Sequence, residues 1–325
     1  MRSVLIRPSV LLGIDGISAA DDQPIGHGPT TWDAVEFEDA VYDLLQYDVI
    51  VVGEFHGRPA CHAFQMRLLE ALAARRPLMA LSMEQFERDA QPAMDRYLNG
   101  QLSEEAFLRG VNEWPSYVQD YRPQVEHAKD KGLPVIAGNV YRPLASEIAK
   151  GGMAAIEAFE EHEKAWIAEE IMLDTPSYRA RFYAVMAPMF QGSHAPKIEG
   201  TEEIDQAKVD AALANYFAAQ ACKDDTMAES MARYLEANPR HLVLHYCGAF
   251  HSAGRLGTVE RLQARMPGLK IAVITPIQSD HPLSPAITLE DLREGDYLLM
   301  VPPEPPKEPA PAMGEGSGES KSPRS

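Results

Sequence analysis

The stretch DVIVVGEFHG, residues 48–57, decides the fold. Asp48 opens a run of apolar β-branched residues, Val49 to Val52, that stops at Gly53. A short continuous run of this kind marks a strand buried on both faces, as in a parallel sheet, rather than one alternating between core and water. Gly53 and Gly57 let the backbone turn sharply. Between them Glu54 and His56 share one side of the turn. In open α/β sheets, ligands bind outside the carboxyl ends of the strands, so this pair is the first candidate for chemistry.

The same punctuation recurs along the chain. Ala60 to Arg75 has helical spacing, with Phe64, Leu68, Leu69 and Leu72 on one face. Leu78 to Met83 is a second buried strand running into Glu84, and the segment to Lys131 reads as helices. Pro134 to Ala137 is a third strand, delivering Asn139. His241 to Cys247 is a fourth, delivering Gly248 and His251. Leu269–Ile274 and Tyr297–Val301 are the fifth and sixth. Strands alternating with helices predict an α/β fold with a mostly parallel central sheet flanked by helices.

One long interval has no strand pattern. Met153–Leu173, Ser177–Phe190 and Val209–Ala237 all have helical spacing. They predict a helical insertion over about 152–238, between the third and fourth strands, that caps one end of the sheet. The expected α/β domain is 31–301, preceded by a loose arm over 1–30. Residues 302–325, PPEPPKEPAPAMGEGSGESKSPRS, are too poor in apolar surface to offset the entropy of ordering and are expected to be disordered.

Composition narrows the function. The net charge is -18, from 30 basic and 48 acidic residues. That field repels nucleic acid and anionic membranes. No apolar run reaches the length of a membrane span. Arg2 and Arg7 flank a short apolar stretch, Val10 to Ile14, that Asp15 interrupts, which makes a weak signal sequence. Cys61, Cys222 and Cys247 form no C-x-x-C pair and are read as buried thiols.

The strand-end set, Glu54, His56, Glu84, Asn139 and His251, forms a candidate catalytic rim. Glu54, His56 and His251 are ligand types suited to a divalent metal, and the same residues suit general acid–base work. One histidine after a strand is more often structural; the weight here comes from four strand ends each carrying such a group. Two further patterns lie in the insertion. Gln220 and Asp224 form a polar pair on an apolar stripe with Leu213, Met227 and Met231, and a buried polar pair requires partners. Tyr183, Met186, Met189 and Phe190 fall near one helical face with His194 just beyond. Tyr, Met and His are all iron ligands in haem proteins, although such a stripe is more often core.

These motifs carry a resemblance. GEFHG at 53–57, SMEQF at 82–86, the W-P-S-Y-x-x-D-Y-R-P run from Trp114, VIAGNVYR at 135–142, AQACKDDTMAESMA at 219–232 and HYCGAFHSAGRLG at 245–257 are together similar to the ChaN-like haem-uptake family. Its wider group includes the Tiki metalloproteases, the TraB proteins and the erythromycin esterases. The resemblance covers roughly Asp48 to Pro302. It implies haem as cofactor, a role in haem or iron handling, and a homodimer with haem ligated by tyrosine at its interface. Tyr183 is the first choice for that ligand, Tyr178 the second and Tyr216 the third. It also implies export as a lipoprotein, yet the chain shows no lipobox cysteine, so location stays open between cytoplasm and periplasm or membrane. The alternative function is a metal-dependent hydrolase using the rim, or a metal-free one with His56 or His251 as base.

Overall fold

Where apolar runs lie, strands form. A computed structural model of the chain describes residues 4–9, 31–112, 114–190, 196–198 and 203–303. Its strands are β1 (Val4–Ser9), β2 (Thr31–Val35), β3 (Val49–Glu54), β4 (Met79–Glu87), β5 (Val135–Asn139), β6 (Leu242–Gly248), β7 (Ile271–Gln278) and β8 (Tyr297–Val301). They form one mixed sheet in the order β2-β1-β8-β7-β3-β6-β4-β5. The six strands from β3 onward pair in parallel, while β1 pairs antiparallel with β2 and β8. Every residue of β3, β4 and β6 is buried, which is why these strands read as continuous apolar runs.

The expectation of a loose arm over 1–30 is corrected at its start. Val4–Ser9 is a strand, and Ile6 is fully buried against Leu298 and Met300. Backbone pairing explains it: β8 would otherwise present an open edge, and β1 covers that edge with the register Val4↔Met300. The remainder of the arm, and the tail from residue 304, lie outside the described residues.

Between β5 and β6 the described elements are helices, short helical turns and one isolated bridge, Lys197↔Ile204. They do not form a single cap. The helix Gln206–Ala237 is 32 residues long, and its later half is a layer of the main core. Met227, Met231 and Leu235 pack there against Val49 and Val51 of β3, Val243 of β6 and Val273 of β7. A parallel connection needs such a helix to cross over the sheet and cover its face. The helix Pro176–Met186 and the first half of the long helix build a separate cluster, Tyr178, Phe182 and Phe217, beside Phe250.

The helix expected over Met153–Leu173 is also corrected: two short turns, Gly152–Ala158 and Glu163–Trp166, stand in its place. The backbone N–H groups that a helix would have used are taken by the long helix. Ala168 N–H donates to Thr226 Oγ1, Glu169 N–H to Glu229 Oε2, and Met172 N–H to Asp225 Oδ2. These buried polar side chains gain partners by holding the segment open.

Asp225 also anchors the helix Thr258–Arg265. Arg261 Nε donates to Asp225 Oδ2 at 2.9 Å and Arg265 Nη1 to Asp225 Oδ1 at 2.7 Å. Both Arg261 and Asp225 are fully buried. Removing one partner of a buried pair leaves a costly charge behind. Arg261→Ala should lower the unfolding free energy in urea by about 3 kcal/mol; a loss under about 1 kcal/mol would contradict this account.

Candidate functional site

Two clusters of charged side chains meet at the carboxyl ends of β3, β4 and β6. The first is built on Glu54, the last residue of β3 and only 1% exposed. Its carboxylate accepts from Tyr121 Oη at 2.6 Å, Gln65 Nε2 at 2.7 Å and, more weakly, Gln85 Nε2 at 3.4 Å. His56 Nδ1 lies 2.7 Å from Glu54 Oε1. A carboxylate can only accept, so Nδ1 carries the proton and the ring is oriented. Trp114 packs edge-on against it, with ring centroids 4.7 Å apart. His56 remains part-exposed. Burial opposes its charged form, but the Glu54 hydrogen bond and the Glu84 charge outweigh burial and raise its pKa above the usual histidine value.

The second cluster is centred on His251. A register shift in the β4–β5 ladder sets Glu84, Gln85 and Phe86 against Gly138 alone, a bulge of the kind that re-aims side chains beside functional sites. Glu84 Oε2 accepts from Gly248 N–H at 2.6 Å, and its Oε1 lies 3.4 Å from His251 Nε2. On the other side, His251 Nδ1 lies 2.7 Å from Asp224 Oδ1. With a carboxylate at each nitrogen, both nitrogens carry protons and the ring is an imidazolium. Burial opposes that charge, yet Glu84 and Asp224 push the pKa up to about 10. Burial likewise works to raise the Glu84 carboxyl, and the His251 charge overrides it, holding the carboxyl well below the usual range. Gly248 is required where the clusters meet: a Cβ there would lie 2.9 Å from His56 Nε2.

Asp224 is fully buried and satisfied by three donors: His251, Tyr178 Oη at 2.7 Å and Thr258 Oγ1 at 2.8 Å. Gln220 Nε2 donates to Tyr178 Oη at 3.1 Å. The polar pair on the apolar stripe thus has its partners in the rim. Sequence reasoning placed Gln220 and Asp224 on that stripe but left them out of the site. It missed Gln65 and Thr258 altogether, and held Gln85 only as part of the SMEQF motif and Tyr121 only as part of the Trp114 run.

Not every expected residue converges. Asn139 does not face the site: its Nδ2 donates to the Glu84 carbonyl at 3.1 Å and its Oδ1 accepts from Val140 N–H. It pins the bulge. Glu54, His56 and His251 do not form a metal centre; among the described residues no three His, Cys, Asp or Glu side chains are grouped to hold a metal ion. Their polar atoms are turned toward one another and toward Glu84 and Asp224. Tyr178 is fully buried. Burial, then the Asp224 charge, raise its pKa well above the usual tyrosine value, and its hydroxyl donates to Asp224 Oδ2. Tyr183 is half-buried against Phe182 and Phe217, and Tyr216 is exposed beside Phe190. His194 lies outside the described residues.

Above the clusters opens a cavity of about 910 Å³ whose floor includes Glu54, His56, Gln220 and His251. Phe182, Val185 and Met186 of the helix Pro176–Met186 form one apolar part of its wall, and Phe250, Pro276 and Ile277 contribute others. The volume is within the range of ligand sites, about 300–1,000 Å³.

A family model described as haem-binding uptake, Tiki superfamily, ChaN matches residues 40–262, a span containing every residue of both clusters. Among solved structures, ChaN of Campylobacter jejuni, described with cofacial haem binding, has a TM-score of 0.61 at 18% identity, covering 82% of this chain and 92% of that one. A mutant of the erythromycin esterase EreC in its open conformation has a TM-score of 0.43 at 11% identity, covering 74% and 72%. No curated protein matches the chain.

The His251 clamp sets a pH dependence. Folding raises the His251 pKa, so its contribution is complete below 6.5 and is lost as pH rises through about 10. Glu84 has the opposite sign: its contribution is complete above 4.5 and is lost as pH falls through the lowered folded value. The two shifts describe one interaction and do not add. Stability to urea should decline from pH 6.5 to 10 in the wild type, and the decline should be shallower in His251→Gln. Equal slopes in both proteins would contradict the clamp.

Proposed function

The chain belongs to the ChaN family of haem-binding uptake proteins in the Tiki superfamily, and from that premise we propose that it binds haem and carries it in iron handling. The observation that supports this most is the roomy cavity walled by Phe182, Val185, Met186, Phe250 and Ile277. Large apolar faces reached by solvent mark ligand or partner sites. Val185 and Met189 are 57% and 64% exposed, and with Tyr216 they offer a second copy of the chain a surface to bury in a homodimer. Titration of the purified protein with haem should give a saturable Soret shift at about one haem per chain. A linear, unsaturable response at micromolar protein would contradict the proposal.

A second function is favoured by the geometry of His56: hydrolysis of an ester at the cavity floor. Of the two candidate bases, His251 is unsuited, because a ring protonated on both nitrogens cannot accept a proton. His56 has Nδ1 held by Glu54 and an exposed ring beside the cavity, which leaves Nε2 as the base. Water would lose a proton to Nε2 as its oxygen bonds to the ester carbon. The carbon–oxygen bond to the alcohol would then break, and the alcohol would take that proton. General base catalysis of this kind contributes about 10²–10⁴-fold. His56→Ala should therefore reduce turnover of p-nitrophenyl esters by at least about 100-fold, with unchanged circular dichroism. Equal turnover by the variant would remove His56 from the mechanism.

A further inference from the structure

We infer that the ester hydrolysed beside His56 is uncharged and carries an apolar acyl chain, seated along Phe250, Phe182, Val185 and Met186. This rests on the hydrolytic reading above and names its substrate class.

The apolar side of the cavity begins at the base. Gly248 lies against His56 Nε2, since a Cβ there would be 2.9 Å from it. Two residues on, Phe250 enters the cavity wall. Its ring meets that of Phe182 edge-on, with centroids 6.2 Å apart. Phe182 continues the wall on the helix Pro176–Met186. Phe182, Val185 and Met186 stand at i, i+3 and i+4, which puts them on one helical face. The result is a strip that leads from the base along about 6 Å of helix. Val185 stays 57% exposed on it, and an acyl chain lying there would take that apolar surface out of water.

The charged side chains of the cavity already have partners. Arg181 Nη2 donates to Glu294 Oε2 at 2.8 Å and its Nη1 to the Ala253 carbonyl at 3.2 Å. Arg58 donates to the Pro302 carbonyl at 3.0 Å and to Gln278 Oε1 at 3.2 Å. Glu54 is held by Tyr121, Gln65 and His56. Asp291 Oδ2 accepts from the Thr288 N–H and hydroxyl at 2.8 and 2.7 Å. A charged ester would have to break one of these pairings or stay without a counter-charge, and either costs free energy. The net charge of -18 adds repulsion for an anion. An uncharged acyl chain meets none of these penalties.

The reaction itself needs only water. Its oxygen bonds to the ester carbon while its proton passes to His56 Nε2. The carbon–oxygen bond to the alcohol breaks, the alcohol leaves with that proton, and the acyl chain leaves as the acid. Complete burial of a methylene is worth about four-fold in affinity. A chain lying on one wall is covered on one side, so about two-fold per methylene is expected.

The test is kcat/KM of the full chain for p-nitrophenyl acetate, butyrate, hexanoate and octanoate, with the rate of His56→Ala subtracted. The His56-dependent value should rise by about 50-fold from acetate to octanoate. Hexanoates carrying a terminal carboxylate or a terminal ammonium should both react at least about ten-fold more slowly than hexanoate. Val185→Asp, which puts a charge on the strip, should lower the octanoate-to-acetate ratio by at least about ten-fold. The ester series uses unmutated protein apart from the subtraction, so it decides even if Val185→Asp misfolds. A flat series, or a charged hexanoate turned over as fast as the neutral one, would overturn the substrate class while leaving His56-dependent hydrolysis standing. Turnover that is the same in wild type and His56→Ala for every ester would overturn the hydrolytic reading and this inference with it.

Discussion

The interaction on which the site depends is the imidazolium of His251 between Glu84 and Asp224. Each of the three groups is buried, and any one left charged without the others would be costly. Together they tie three parts of the fold into one unit. Glu84 comes from the bulge of β4, His251 from the turn after β6, and Asp224 from the long crossover helix. The bulge is needed because a regular strand would alternate its side chains between the two faces. Asn139 then holds the bulged backbone by its Glu84 carbonyl.

From that clamp the cavity wall follows. Asp224 accepts from Tyr178, which lies in the helix Pro176–Met186, so the wall carrying Val185 and Met186 is fastened to the charged floor through one carboxylate. Tyr178, Phe217 and Phe250 pack around this link, with centroids 5.6 to 6.0 Å apart where they contact Tyr178. The second cluster is fastened independently. Tyr121 and Gln65 hold Glu54 from behind, which orients His56 toward the cavity. An oriented imidazole in front and a protonated one behind give the floor a division of roles that equivalent histidines would lack.

Much of this was legible in the chain because burial on both faces writes itself as continuous apolar runs. That is how β3 to β8 were read, and the rule that ligands gather at strand ends then picked out Glu54, His56, Glu84 and His251. What was illegible depends on partners far away in sequence. Val4–Ser9 is short and contains Arg7 and Pro8, and only the open edge of β8 makes it a strand. Asn139 looks like a rim residue until the bulge beside it takes both ends of its amide. Gln220 and Asp224 showed as a polar pair on an apolar stripe, but nothing local says that His251 lies opposite. The tyrosines show the same limit: helical spacing places Tyr178 and Tyr183 in one helix but does not say that Tyr178 gives its hydroxyl to a buried aspartate.

A crystal structure of the protein grown with haem tests the central claim most directly. The account predicts porphyrin density in the cavity against Val185 and Met186, with the His251 clamp undisturbed. Haem bound instead on the Tyr183 or Tyr216 side of the helix, with the cavity empty, would contradict it.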